Sequence, residues 1–315
     1  MPVAPFLKVC HYAEFPGKTR GCKWYFFCRA GLVGFFLSRL TGDPTSLYLP
    51  LDASDEIKNQ FREIHGLNDP LVVQFFNYMG DLIRFDFGDS IRRSEPAIDI
   101  VLRGFGWTLQ LAAITLSLVI FFSIVLGSLA AFHVGGAFDR IATFFSLVGA
   151  SAPDFWVAIV AIVVFSVTLG WVPTSGTGSF AHWILPVAVL FIRPFGLIVQ
   201  IVRGSMITAL SSAYVKTARA KGIKNRSIIF VHALRNALLP VITVIGDQAA
   251  ALLNGAVVIE TIFGFPGVGK LMIDSILQRD FAVVMAAIVV TALAIFLMNL
   301  VIDILYSILD PRIRY

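Results

Sequence analysis

The stretch WTLQLAAITLSLVIFFSIVLGSLAAF, Trp107–Phe132, contains no Asp, Glu, Lys or Arg. Crossing roughly 30 Å of hydrocarbon takes about 20 mostly apolar residues, so this stretch is long enough to span a bilayer. Its apolar residues are continuous rather than alternating every second position, which excludes a barrel strand. A lone spanning segment must satisfy its own backbone, and only a helix does so. The pattern repeats to either side. Between Arg140 and Arg193 the only charge is Asp154, and the turn-rich GWVPTSGTGS divides that region into spans near 141–169 and 183–202. Further spans fall near 238–259 and 281–305, and a weaker one lies near the N-terminus. The expected fold is therefore all-α, a polytopic membrane protein with about six transmembrane helices. Composition agrees: 57% of residues are hydrophobic and only 14% charged, against about a quarter charged in soluble domains.

Basic residues in the loops set the expected orientation. The loop from Arg203 to Ala237 carries seven basic and no acidic residues, and the tail DPRIRY adds Arg312 and Arg314. By contrast, Thr41–Arg103 has eleven acidic against six basic residues. The basic loop and C-terminus are thus expected in the cytoplasm, with Thr41–Arg103 and Glu260–Asp280 outside. On this reading the net charge of +5 expresses topology, and no nucleic-acid partner is expected. The chain divides into an atypical N-terminus (1–34), the end of a first span with an extracytoplasmic segment (35–103), a core of five spans (104–310) enclosing the cytoplasmic loop 203–237, and a short tail (311–315).

The first segment is anomalous. KWYFFCRAGLVGFFLSRL is short for a span and holds Arg29, and no signal-peptide cleavage pattern follows it. An altered reading frame or mis-assigned start before about Phe35 accounts for this. A tilted span with Arg29 snorkelling to the interface is the alternative. Cys10, Cys22 and Cys28 fit no zinc spacing, so no metal site is expected.

GFPGVGKL, Gly264–Leu271, nearly spells a phosphate-binding loop, but Leu271 stands where a magnesium-binding hydroxyl is required and no α/β context surrounds it. It reads instead as a tight turn into a short helix carrying Leu271, Met272 and Ile276 on one face. No nucleophile–base or paired-carboxylate constellation can be assembled, so no catalytic residues and no enzyme activity are expected. Ionisable or polar residues inside spans point to function by default: Asp154, which follows Pro153 at an expected kink, Arg193, Asp247, Gln248 and Asn254. Either they face a wet translocation path, or the Asp and Arg residues pair for packing.

The remaining conspicuous stretch is SSAYVKTARAKGIKNRSIIFVHALRNALLP, Ser211–Pro240, with Lys216, Arg219, Lys221, Lys224, Arg226 and Arg235 and no acid. It reads as a helix over 213–221, a C-cap at Gly222 and a second helix over about 227–237, with Pro240 starting the next span. Ala218 and Gly222, one turn apart, leave room for another backbone. Such a hairpin suits docking of a cytosolic partner with an acidic groove.

YVKTARAKGI…HALRNALLPVITVIG resembles the cytoplasmic EAA-loop signature of permease subunits of ABC importers, in the dipeptide/oligopeptide/nickel branch. RLTGDP (39–44), GLNDPLVVQFFNYMGDLIRFDFGDSI (66–91), ETIFGFPGVGKLM (260–272) and NLVIDILYSILDPRIRY (299–315) resemble the same branch in order and spacing. The resemblance implies the type I permease fold, a bacterial inner-membrane location and a cytoplasmic C-terminus. It also implies a second permease subunit, two cytosolic ATPase subunits that use ATP, an extracytoplasmic solute-binding protein and no cofactor held by this chain. It places the ATPase-coupling contacts on Lys216, Thr217, Ala218, Arg219, Ala220, Gly222, His232, Leu234 and Arg235. Position 216 holds Lys where the glutamate that names the motif stands. Peptides are the expected solute, with nickel or glutathione as alternatives. An ion-coupled secondary transporter is the alternative from another class, but it would leave the basic hairpin unexplained and would usually show an inverted repeat.

Overall fold

The computed structural model describes residues 54–64 and 68–309. The expected first span, the cysteines, His65 and the tail from Asp310 lie outside the described residues. The helices are α1 (Asp55–Ile64), α2 (Leu71–Ile83), α3 (Ala97–Phe132), α4 (Ala137–Ser151), α5 (Asp154–Ala161), α6 (Ala181–Leu210), α7 (Ala213–Ala220), α8 (Leu234–Ile262), α9 (Val268–Leu277) and α10 (Phe281–Leu309). Two π-helical segments, Ile162–Thr168 and Ile228–Ala233, extend α5 and lead into α8. Among the described residues there is no strand, only an isolated bridge between Asp89 and Pro96.

Among the described residues three helices are long and apolar enough to cross a membrane: α3, α6 and α10 as far as Ile302. Two bent pairs bring the number to as many as five among the described residues. The first is α4 with Asp154–Thr168, bent by 101°. Pro153 is responsible: with no N–H to give and an extended conformation (φ −66°, ψ 129°), it ends one helix and caps the next. The kink expected there is present. The second pair bends by 64° about Leu239, between Asn225–Leu238 and Pro240–Leu253. The straight apolar segment does begin at Pro240, as the sequence indicates, but Pro240 lies inside α8, which starts at Leu234, so the second arm of the hairpin joins the span through this bend.

The described chain forms two compact units, one comprising residues up to Val101 with Asp274–Val289, the other Leu102–Ile273 with the chain from Val290. In the first unit the Ser90 hydroxyl donates to the buried carboxylate of Asp280, and Ser90 N–H donates to Glu95 O at 2.9 Å. The second unit holds two apolar clusters. One cluster joins Leu111, Ala158, Leu185, Val189, Leu252 and Phe265; another joins Val119, Ile198, Met206, Ile229, Ala233 and Val241. Helices approach closely where side chains are smallest, as membrane packing favours. A methyl at Gly127 on α3 would stand 2.8 Å from Val202 on α6, and one at Gly196 on α6 would overlap the Ser146 carbonyl of α4. The α4–α6 seam continues through Gln200 Nε2, which donates to Thr143 O at 3.4 Å.

Candidate coupling and translocation sites

The basic hairpin is built by its own short-range chemistry. Helix α7 ends in a complete Schellman motif: Gly222 N–H donates to Arg219 O at 3.0 Å and Ile223 N–H to Ala218 O at 3.2 Å. Gly222 has φ +74°, so its glycine is required for the backbone conformation, as the sequence indicates; a side chain there would meet nothing within 4 Å. Val215, Ala218 and Ile228 are buried together, with Ile223 and Leu210 packed against them. Ala218 thus spends its small size on packing between the arms rather than on a surface offered to another chain. The second arm is fastened below by Ile229 and Ala233, which belong to the core shared with α3, α6 and α8. His232 Nδ1 lies 3.1 Å from Ser227 O.

With the apolar side chains turned inward, the charges turn out. Lys216, Thr217, Arg219, Ala220, Lys221, Lys224, Arg226 and Arg235 are exposed, while His232 and Leu234 are half-buried. Tyr214 and Val231 join the open face. Among the described residues none of these lysines and arginines forms an ion pair. The arrangement is a cationic surface that also exposes Tyr214 and Val231, fused to a 29-residue helix.

Between α4 and α6 lies a pair the sequence reading missed. Asp139 at the start of α4 is buried, and Arg203 near the end of α6 grips it with Nε and Nη2 at 2.5 and 2.8 Å. Gly135 N–H adds a third bond at 2.9 Å. The fork geometry explains why this position takes arginine and not lysine. The only signal in sequence is a charge at the edge of each of two apolar runs, 64 residues apart.

The polar residues within spans separate into two groups. Asp154, in the first turn of α5, pairs with Arg193 of α6 at 3.7 Å, and this pair remains partly open, with 28% and 57% of the side chains exposed. Asp247, Gln248 and Asn254 lie on α8. Asp247 is exposed, and among the described residues it has no ion-pair partner. The open face of α8 reads Pro240, Thr243, Asp247, Ala251 and Val258, whereas α3 opens Leu109, Ile114, Leu118 and Phe121 and α4 opens Ile141, Phe144, Phe145 and Val148. Apolar faces of the latter kind suit lipid. A face with a carboxylate at its middle, flanked by Thr243 and Ala251, does not.

GFPGVGKL forms the expected turn and short helix, with Gly264 at φ +61° and α9 beginning at Val268. Ile276 lies exposed, and Leu271 and Met272 are half-buried. Its anchor is a second feature missed from sequence. Glu260, fully buried at the end of α8, accepts from the Thr108 hydroxyl at 2.5 Å and from Gly269 N–H at 2.8 Å.

Comparison with known proteins gives a consistent result. Residues 123–315 match the family described as binding-protein-dependent transport system inner membrane component. The chain is 40% identical over 285 residues to the oligopeptide transport system permease protein AppB of Bacillus subtilis, covering 87% of this chain and 90% of AppB. It is 36% identical over 294 residues to a probable peptide ABC transporter permease, y4tP, of Sinorhizobium fredii, covering 90% and 94%. It is 37% identical over 284 residues to the glutathione transport system permease protein GsiC of Escherichia coli, covering 90% and 93%. Among solved structures, a chain of the MetNI methionine ABC transporter aligns with a TM-score of 0.58 at 15% identity, over 67% of this chain and 96% of that one. That likeness is one of fold.

Proposed function

Because the chain belongs to the binding-protein-dependent transport system inner membrane component family, and so is a multi-pass inner-membrane ABC permease rather than an enzyme, we propose that it forms one half of an ATP-driven import path for peptides. The other half is a second, similar permease. Two cytosolic ATPase subunits hydrolyse the ATP, and this chain holds no cofactor of its own. A solute-binding protein delivers the peptide from outside, the hairpin and C-terminus lie in the cytoplasm, and lipid covers the apolar faces. Peptide as solute is supported by the names of the relatives: oligopeptide, peptide and glutathione are one chemical class, chains of amide-linked residues with charged ends.

The observation that carries the coupling role is the hairpin's exposed cationic face, unpaired among the described residues and continuous with α8. Lys216, Thr217, Arg219, Ala220 and Arg235 present it, Gly222 fixes its turn, and Ala218, His232 and Leu234 hold its arms. An acidic ATPase groove seated there shifts the equilibrium between two permease conformations by touching one better than the other. On the path side, Asp247, exposed on α8, is the residue assigned to meet solute, with the half-buried Gln248 beside it in sequence; the side chain of Asn254 lies outside the described residues. The Asp154–Arg193 pair contributes a half-open charge to the same path.

The test is uptake by proteoliposomes holding the complete transporter, with labelled trialanine and with glutathione as separate solutes. ATP-dependent, binding-protein-dependent uptake of trialanine is expected. Uptake of glutathione alone would move the solute assignment, and uptake that needs no ATPase would overturn the importer reading.

A further inference from the structure

The loop that imitates a phosphate site already contains an acceptor group, the carboxyl of Glu260, and that group is part of the chain. Glu260 Oε2 accepts from the backbone N–H groups of Gly269 at 2.8 Å and Lys270 at 3.2 Å, while Oε1 takes the Thr108 hydroxyl hydrogen at 2.5 Å. Thr108 Oγ1 in turn accepts from Val268 N–H at 2.9 Å. The first N–H groups of α9, which a helix leaves without internal partners, are therefore used by α8 directly and by α3 through its threonine. Carboxylate at a helix N-terminus is the electrostatically favoured placement. The glycines are shaped to it: a methyl at Gly267 would overlap the Glu260 carboxylate, and one at Gly269 would stand 2.5 Å from the Val257 backbone. Phe265 N–H donates to Glu260 O at 2.8 Å, and the Phe265 ring lies edge-on to Trp107 and Trp183 at 5.8 and 4.9 Å.

We propose that Glu260 is a positioning residue that ties the start of α9 and the Thr108 turn of α3 to the far end of α8, so that movement imposed at the basic hairpin is delivered there. Helix α8 begins where the hairpin ends and reaches Glu260 without interruption beyond its bend at Pro240; its 29 residues correspond to about 43 Å. The tie is rigid because releasing it would leave a buried carboxylate and several buried N–H groups without partners. This inference rests on the ATP-coupled reading for its driving force, but the tie itself does not.

The experiment compares native transporter with Glu260→Ala, Glu260→Gln and Thr108→Val in proteoliposomes, measuring trialanine taken up per ATP hydrolysed. Glu260→Ala is expected to assemble and hydrolyse ATP while uptake per ATP falls about tenfold, the order of effect of orphaning buried donors. Glu260→Gln keeps an acceptor for α9 and should restore most of it. Thr108→Val should fall between them and add nothing to Glu260→Ala, because both break one cluster. If Glu260→Ala does not assemble, Thr108→Val decides. A native ratio in the deciding variant overturns the proposal. Hydrogen exchange at Val268, Gly269 and Lys270 in the native complex provides a reading independent of the solute: protection should persist on ATP binding, and exchange that rises with ATP overturns the tie. Native complex without ATP-dependent uptake would instead refute the importer reading.

Discussion

The two ends of α8 solve opposite problems with the same kind of material. At one end the hairpin holds Lys216, Arg219, Lys221, Lys224, Arg226 and Arg235 with no acid among them, and it leaves those charges exposed. At the other, Glu260 is an ionisable group as out of place in an apolar chain, yet it is fully buried and hydrogen-bonded by Thr108, Gly269 and Lys270. Charge left open is charge kept for another molecule, whereas charge consumed internally fixes geometry. On the proposed function, one helix with a docking surface at its start and a fixed joint at its end is a means of carrying force.

That contrast can be broken at either end. The largest loss of stability is expected for Glu260→Ala, on the order of 3 kcal/mol, because buried N–H groups lose their acceptor; the melting temperature of the detergent-purified chain should fall clearly below native. Arg203→Leu comes next, about 2 kcal/mol, since it strands a buried Asp139 while its own partly exposed site softens the loss. Asp139→Asn should be milder, and equal melting of both variants with native would show that the α4–α6 fork holds nothing in place. Asp154→Asn should cost at most about 1 kcal/mol, as a half-exposed pair does. Its informative readout is transport: if Asp154→Asn and Asp247→Asn both take up trialanine at the native rate, the charged path is wrong and the pair serves packing alone. Smallest in stability is the double reversal Lys216→Glu/Arg219→Glu. It should leave the melting temperature where it is and abolish binding of the ATPase, the inverse of Glu260→Ala.

What could be read from sequence follows the range of the interactions. Spans are written in runs of about 20 residues, so the apolar segments from Trp107 onward were legible. So were the kink at Pro153 and the left-handed Gly222, each a property of one residue and its neighbours. The helical turns that join the hairpin to Pro240 were not, because a proline inside a helix marks a kink without saying whether the helix stops; here it bends by 64° and continues, with Ile229, Ala233 and Val241 packed into one core on both sides of the bend. The π-helical stretches left no periodic trace either. Asp139–Arg203 and Thr108–Glu260 join residues 64 and 152 positions apart, and no local pattern encodes such partners. For Asp154 and Arg193 the sequence left packing and path both open. The structure brings these two together, leaves the pair partly exposed and gives Asp247 no share in it.

The most direct measurement is affinity purification of the tagged full-length chain in mild detergent, beside Lys216→Glu/Arg219→Glu and Gly222→Trp. The native chain should bring down an ABC ATPase and a second permease. Both variants should lose the ATPase and keep the permease, the charge reversal by changing only the hairpin surface and Gly222→Trp by straining its left-handed turn. A well-folded native chain that retrieves no ATPase, or a charge-reversed hairpin that still retrieves it, would contradict the assignment of this surface as the place where ATP hydrolysis acts on the membrane.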